Sequence, residues 1–276
     1  MSLRSRKKSG DLIGYVIIAF SVILVLGIGA FMFSTQKSKI KVNKQTYCPK
    51  DAEPYGKVIA LIDLTDPLNK AQKEFFIKEI DSIKQSIPRY HNLTIYTLDQ
   101  SLDLEINKKL SKCNPGTLED IKDTFEKISN NPTKIRNNWE KGFSREISNT
   151  IDNIILRTKS QSTSPVMEMF QLIAIKEFKN FEGTENKIII LSDMIQNAND
   201  LSMYNSGIPK FSRFSTTPYF SKIRTDLKDN VDVNLLIIKR DGFRKQQESG
   251  SFLQFWAQFF VNGNNAKNFK SKFVDG

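Results

Sequence analysis

"KVIALIDLTDPLN", Lys57 to Asn69, is the stretch on which the fold turns. Five apolar residues in a row, Val58 to Ile62, read as a short buried strand, and the chain then delivers Asp63, Thr65 and Asp66 just ahead of Pro67. A helical pattern follows at once. Phe75, Phe76, Ile80, Ile83 and Ile87 recur at the spacing of one helix face until Pro88 stops it, and "NLTIYTLD" is the next strand. Strand, helix, strand in this rhythm predicts an α/β domain with a doubly wound, mainly parallel sheet of Rossmann type.

The pattern continues downstream. "WEKGFSREISNTIDNIILR" carries Phe143, Ile147, Ile151, Ile154 and Ile155 on one helical face, and "TSPVMEMFQLIAIKEF" begins a further helix with Ser164 at the cap position and Pro165 at the first helical position. "NKIIILSDMIQN" repeats the opening device: an apolar strand, Ile188 to Leu191, ends in Ser192 and Asp193. "VDVNLLIIKR" supplies another strand, and "SGSFLQFWAQFFVNGNN" reads as a closing helix whose aromatic residues pack the core. The middle, 101 to 134, is irregular, with a short helix expected after "CNPGT". Residues 198 to 228 are long and polar for a loop, which marks a functional or mobile insertion.

The first fifty residues are unlike the rest. Leu12 to Phe33 holds no charge; at 1.5 Å per residue such a helix is roughly 33 Å long, enough for a hydrocarbon core of about 30 Å. The organisation expected is therefore a basic tail (1–11), a single transmembrane signal-anchor (12–33), a polar stalk (34–56) and the α/β domain (57–276). The anchor also explains the charge. Residues 1–50 hold nine Lys+Arg against one acidic residue, net +8, and the other 226 of 276 hold 32 against 29, net +3. Basicity concentrated beside a membrane segment implies anionic lipid, so no nucleic-acid partner is expected. Four cations precede the apolar run (Arg4, Arg6, Lys7, Lys8) and four follow it (Lys37, Lys39, Lys41, Lys44), which ties the positive-inside count. A short tail and a large following domain predict a cytoplasmic N-terminus and an extracytoplasmic domain. Two cysteines, Cys48 and Cys113, can form one disulfide in such an oxidising compartment or stand as separate thiols.

Ligands of open α/β sheets bind beyond the carboxyl ends of the strands. Three such ends here bring oxygen side chains: Asp63 and Thr65, then Thr163 or Ser164, then Asp193. That set suits a hard divalent cation, Mg²⁺ or Mn²⁺. Here the chain resembles the von Willebrand factor A domain family, the fold of integrin I domains, over about Lys57 to Asn262. The family's adhesion site uses a D-x-S-x-S loop, a hydroxyl from a second loop and an Asp after the fourth strand. "DLTDP" matches with Asp63 and Thr65, "TSP" with Ser164, and "LSDM" with Asp193. Pro67 stands where the second Ser belongs, which removes one hydroxyl ligand and leaves Asp66 as the nearby substitute. The resemblance implies a membrane-anchored interaction module that is not an enzyme. It would bind a protein partner through a metal at Asp63, Thr65, Ser164 and Asp193, with an acidic residue of the partner completing the shell.

Three other readings stand beside it. The strand-end Asp residues can simply bond turn amides, leaving a metal-free structural subunit of a membrane complex. A Mg²⁺-dependent phosphatase of the haloacid-dehalogenase type would also place an Asp after the first strand, but it needs D-x-D, and Thr65 stands at the second Asp. His91 has no spaced Cys or His companions for zinc. The sequon at Asn92 matters only in a host that glycosylates this compartment.

Overall fold

A computed structural model describes residues 5–37, 40–63, 65–98, 101–121, 131–157 and 160–274. The chain forms two units, residues 1–41 and 42–276. In the first, helix α1 (Ser5–Lys37) contains the whole apolar run. Its side chains are described for residues 14–30, where Ile17, Phe20, Ile23 and Leu26 are all exposed. That window is about 25 Å long, and among the described residues no helix is long and apolar enough to cross a membrane.

The second unit is an α/β fold on one six-stranded sheet, ordered β3-β2-β1-β4-β5-β6. Its strands are β1 (Lys57–Ile62), β2 (Asn92–Thr97), β3 (Lys108–Cys113), β4 (Asn186–Ser192), β5 (Val231–Ile238) and β6 (Asn268–Val274). All pairs are parallel except β2–β3. Successive side chains of a strand face opposite sides, and β1 shows the consequence. Val58, Ala60 and Ile62 join a core with Phe76 and Ile80 of α2 (Lys70–Ser86) and Ile147 and Ile151 of α3 (Arg145–Leu156). Ile59 and Leu61 join the opposite core with Phe170 and Ile173 of α4 (Val166–Phe178) and Phe252 and Trp256 of α5 (Gly250–Gln258). Burial on both faces is why the central strands read as unbroken apolar runs.

Local signals set the helix ends. Asn69 caps α2 in a reciprocal box: its side chain accepts from Gln72 N–H at 2.9 Å while the Gln72 side chain accepts from Asn69 N–H at 3.1 Å. The far end of α4 is pinned to β1 and β2, because buried Glu177 pairs with Lys57 at 3.2 Å and accepts from the Tyr96 hydroxyl at 2.6 Å.

Four sequence expectations are corrected. The stalk stops short of residue 56, because residues 42–56 fold onto the domain. Cys48 is bonded to Cys113, Thr46 O accepts from Cys113 N–H at 2.8 Å, and Tyr55 bridges Tyr90 and Thr184 through its backbone. Gly142 is the point of close approach, since a Cβ there would collide with the Tyr47 ring. The irregular middle contains strand β3, and the chain ends in strand β6 after the aromatic helix. The 198–228 insertion is not a plain loop: it carries the short helices Met203–Ser206, Phe211–Phe214 and Pro218–Ile223 and sinks Phe214, Phe220, Ile223 and Leu227 into the core while most of its other residues stay at the surface, and Phe214 lies edge-on to Phe220 and Phe255. The short helix expected after "CNPGT" falls mainly on 122–130, outside the described residues. The sequon is buried within β2, with Asn92 6% and Thr94 1% exposed, so the folded chain offers no glycan acceptor there.

Candidate functional site

The strand order reverses between β1 and β4, and both strands end at the same edge, in register at Ile62 and Leu191. A crevice at that switch point is where such sheets bind ligands. Asp63 follows β1 and Ser192–Asp193 close β4. The Asp63 N–H donates to Leu191 O at 2.8 Å, which fixes the two loops to each other.

Asp63 is 2% exposed and fully engaged. Its Oδ1 accepts from Thr65 N–H at 3.0 Å; its Oδ2 accepts from the hydroxyls of Ser164 at 2.9 Å and Ser192 at 2.7 Å. Ser164 was expected as a helix cap, but its hydroxyl is given to Asp63, and α4 starts after Pro165 with no side-chain cap. Thr65 contributes backbone: its N–H to Asp63 and its carbonyl to Gln161 N–H at 2.9 Å. Three of the four predicted residues, Asp63, Thr65 and Ser164, are thus in one hydrogen-bonded group.

Asp193, also 2% exposed, leans the other way. Its Oδ1 accepts from Ile195 N–H at 2.9 Å, and its Oδ2 lies 3.1 Å from Arg240 Nε. Arg240 follows β5, the strand beside β4, and so arrives at the same edge. Its Nη1 donates to Pro67 O at 3.2 Å and its Nη2 to Asp66 O at 3.3 Å, while Asp66 Oδ2 stands 4.0 Å from Nε. Gln247 holds it there: Oε1 accepts from Arg240 N–H at 2.8 Å, and Nε2 donates to Asp193 O and Ile238 O, both at 2.9 Å. The sequence reading missed Arg240. The available signal was its position, a cation at the carboxyl end of the strand next to that of Asp193.

Electrostatics follow from this packing. Burial, and then the neighbouring Asp63, push the Asp193 carboxyl up to about 7, with Arg240 and the Ile195 amide pulling against the rise. Burial, and then Asp193 and Asp66, raise the Tyr204 hydroxyl above the usual tyrosine range. A second, half-buried network supports the loops: Tyr219 Oη donates to Glu168 Oε1 at 2.7 Å, and Gln196 Nε2 donates to Glu168 Oε2 at 2.8 Å.

The residues expected to hold Mg²⁺ or Mn²⁺ do not fit such an ion as they are arranged. Asp193 Oδ2 and the carbonyls of the 66–67 turn already face the Arg240 guanidinium, and Pro67 offers no hydroxyl. A divalent ion sharing Asp193 with that guanidinium would lie about 5 Å from it, a repulsion of roughly 7 kcal/mol at an effective dielectric constant near 20. The two cations compete for the same oxygens. Among the described residues no group of three or more His, Cys, Asp or Glu is disposed to hold a metal.

The surrounding rim exposes apolar side chains among polar ones. Leu156 is 81% exposed at the end of α3 and, with Pro67, Leu68, Lys73 and Ile155, lines a groove of about 250 Å³ beside the site loop. On the other side Tyr204, 38% exposed, lies edge-on to Phe243 with ring centroids 4.5 Å apart. No protein-family model matches the chain, and no curated protein matches it.

Proposed function

We propose that the chain is a membrane-anchored interaction module of the von Willebrand factor A type that binds a protein partner at the carboxyl edge of its sheet. The observation that carries this reading is the composition of that edge: a buried, charge-paired centre at Asp63, Asp193 and Arg240, ringed by the exposed side chains of Leu156 and Tyr204. Exposed aliphatic and aromatic anchors around a desolvated arginine have the make-up of an interaction hot spot. The strand order with one antiparallel edge strand supports the family likeness. The exposed apolar face of α1 supports insertion of residues 12–33 in a bilayer, since such a surface has no stable place in water. The disulfide supports an extracytoplasmic domain with the N-terminus in the cytoplasm.

Hydrolase chemistry gains no support from Asp63. A nucleophile needs a free lone pair aimed at open space, and Asp63 is buried with three donors on its two oxygens. A second reading, a metal-free structural subunit of a membrane complex, draws on the closed Arg240 network. Photo-crosslinking in the native membrane separates the two. With a crosslinking residue at 156 or 204, the module reading expects adducts with one partner, and none from position 229 at the opposite edge. Equal labelling from both edges, with a constant large size after detergent extraction, favours the structural subunit.

A further inference from the structure

We infer that Arg240 is the resident cation of this site, standing in place of the divalent ion that the family resemblance implies, so that the loops of β1 and β4 are held together without metal. Three observations converge on the guanidinium. Its Nε faces the outward oxygen of Asp193 at 3.1 Å, its Nη atoms reach the carbonyls of Pro67 and Asp66, and its own backbone is fixed by Gln247, which also holds the Asp193 carbonyl. The result joins the end of β5 to the ends of β1 and β4, the cross-linking that a coordinated ion would otherwise provide. A planar cation with several fixed donors suits this task because it bonds a carboxylate and two carbonyls at once. Pro67 belongs to the same arrangement: where a serine would offer a ligand hydroxyl, proline offers a carbonyl, and Arg240 uses it.

The inference concerns the purified chain alone and does not depend on the partner reading, so each can fail without the other. The experiment is a comparison of full-length wild type, Arg240→Met and Arg240→Lys, followed by calorimetric titration with MnCl₂ and by thermal unfolding in MnCl₂ or EDTA. Wild type and Arg240→Lys are expected to give no saturable heat and the same unfolding midpoint in both solutions. Arg240→Met is expected to unfold earlier. Its midpoint should rise by roughly 5–10 °C in MnCl₂ at about 100 times its Kd, and a further Asp63→Asn change should abolish that rise. Saturable Mn²⁺ binding to wild type that is lost in Asp63→Asn plus Asp193→Asn overturns the inference. So does an Arg240→Met protein that folds and ignores Mn²⁺. Should Arg240→Met not fold, the titrations of wild type and Arg240→Lys decide: silence in both supports the inference, and saturable binding in either overturns it.

Discussion

Asp193 meets two opposing demands, and its titration exposes them. One oxygen closes a turn with the Ile195 amide, the other faces Arg240, and burial beside Asp63 raises the carboxyl from its ordinary 3.8 to about 7. Between about pH 4 and 7 the folded chain therefore holds a proton that the unfolded chain has released. Stability contributed at this position falls as pH rises through that window and is level above it. Asp193→Asn removes the titration, so in urea melts at pH 5, 6, 7 and 8 its stability relative to wild type is expected to climb with pH; two parallel curves would count against the assignment. Asp63 is held by neutral donors instead, two hydroxyls and an amide. Ser192→Ala, which takes away one of those hydroxyls and also the acceptor of the Met194 amide, is expected to cost about 1–3 kcal/mol in the same melts. Asp63, Ser164 and Asp193 were readable because each sits just past an apolar strand or just before an amphipathic helix. Each aspartate spends one oxygen on a turn amide, as the simpler reading expected, and the other on side chains of neighbouring loops: Ser164 and Ser192 for Asp63, Arg240 for Asp193. Arg240 was not readable in this way, since a lone arginine at a strand end has the same pattern as one that only meets solvent, and its partners lie 47 and 174 residues away.

Central strands announced themselves and edge strands did not, for one physical reason. β1, β4 and β5 are buried on both faces and appear as apolar runs, whereas β3 and β6 carry Lys109 and Lys112 or Lys270 and Lys272 among few apolar residues. Lysine on an edge strand discourages pairing with other chains, and it also erases the alternation by which a strand is recognised. β3 matters here because it carries Cys113. The Cys48 bridge closes a loop of 65 residues, for which chain entropy predicts a stabilisation of about 4 kcal/mol. Cys48→Ser plus Cys113→Ser is expected to lower the unfolding midpoint by roughly 10 °C, and reductant should reproduce that fall in wild type and leave the double variant unchanged. On the other face the 198–228 segment looked like a loop because its phenylalanines are separated by polar residues and prolines. Phe211 and Phe214 nevertheless close on Phe255 of α5, and Phe220 on Phe259 just after it. Tyr204, earlier in the segment, stays at the site rim. Trp256, fully buried against Phe255 and Phe260, is the keystone of that layer. Trp256→Ala is expected to cost about 3–5 kcal/mol by calorimetry, more than any change at the rim.

Anchor, disulfide and site loops place linked demands on the chain. The described side chains of α1 are exposed aliphatics on every side, the surface that the proposed bilayer insertion would cover. In the proposed reading, the tied count of flanking cations leaves orientation to the bulk of the following domain. The bridge adds a chemical criterion, because a disulfide between Cys48 and Cys113 persists on the oxidising side of a membrane and is reduced on the cytoplasmic side. The segment that bears Cys48 is bonded to the domain through this bridge and through the Cys113 amide, so the redox state of the bridge reports on the compartment that holds the domain. Two measurements on the full-length chain in its own membranes follow. Alkaline extraction is expected to leave the chain in the membrane pellet, and deleting residues 12–33 to release it. Alkylation of intact cells with a thiol reagent, followed by mass analysis, is expected to find neither cysteine modified until reductant is added. Modification of both cysteines without reductant would put the domain on the cytoplasmic side, where the partner sought by crosslinking would have to be cytoplasmic as well.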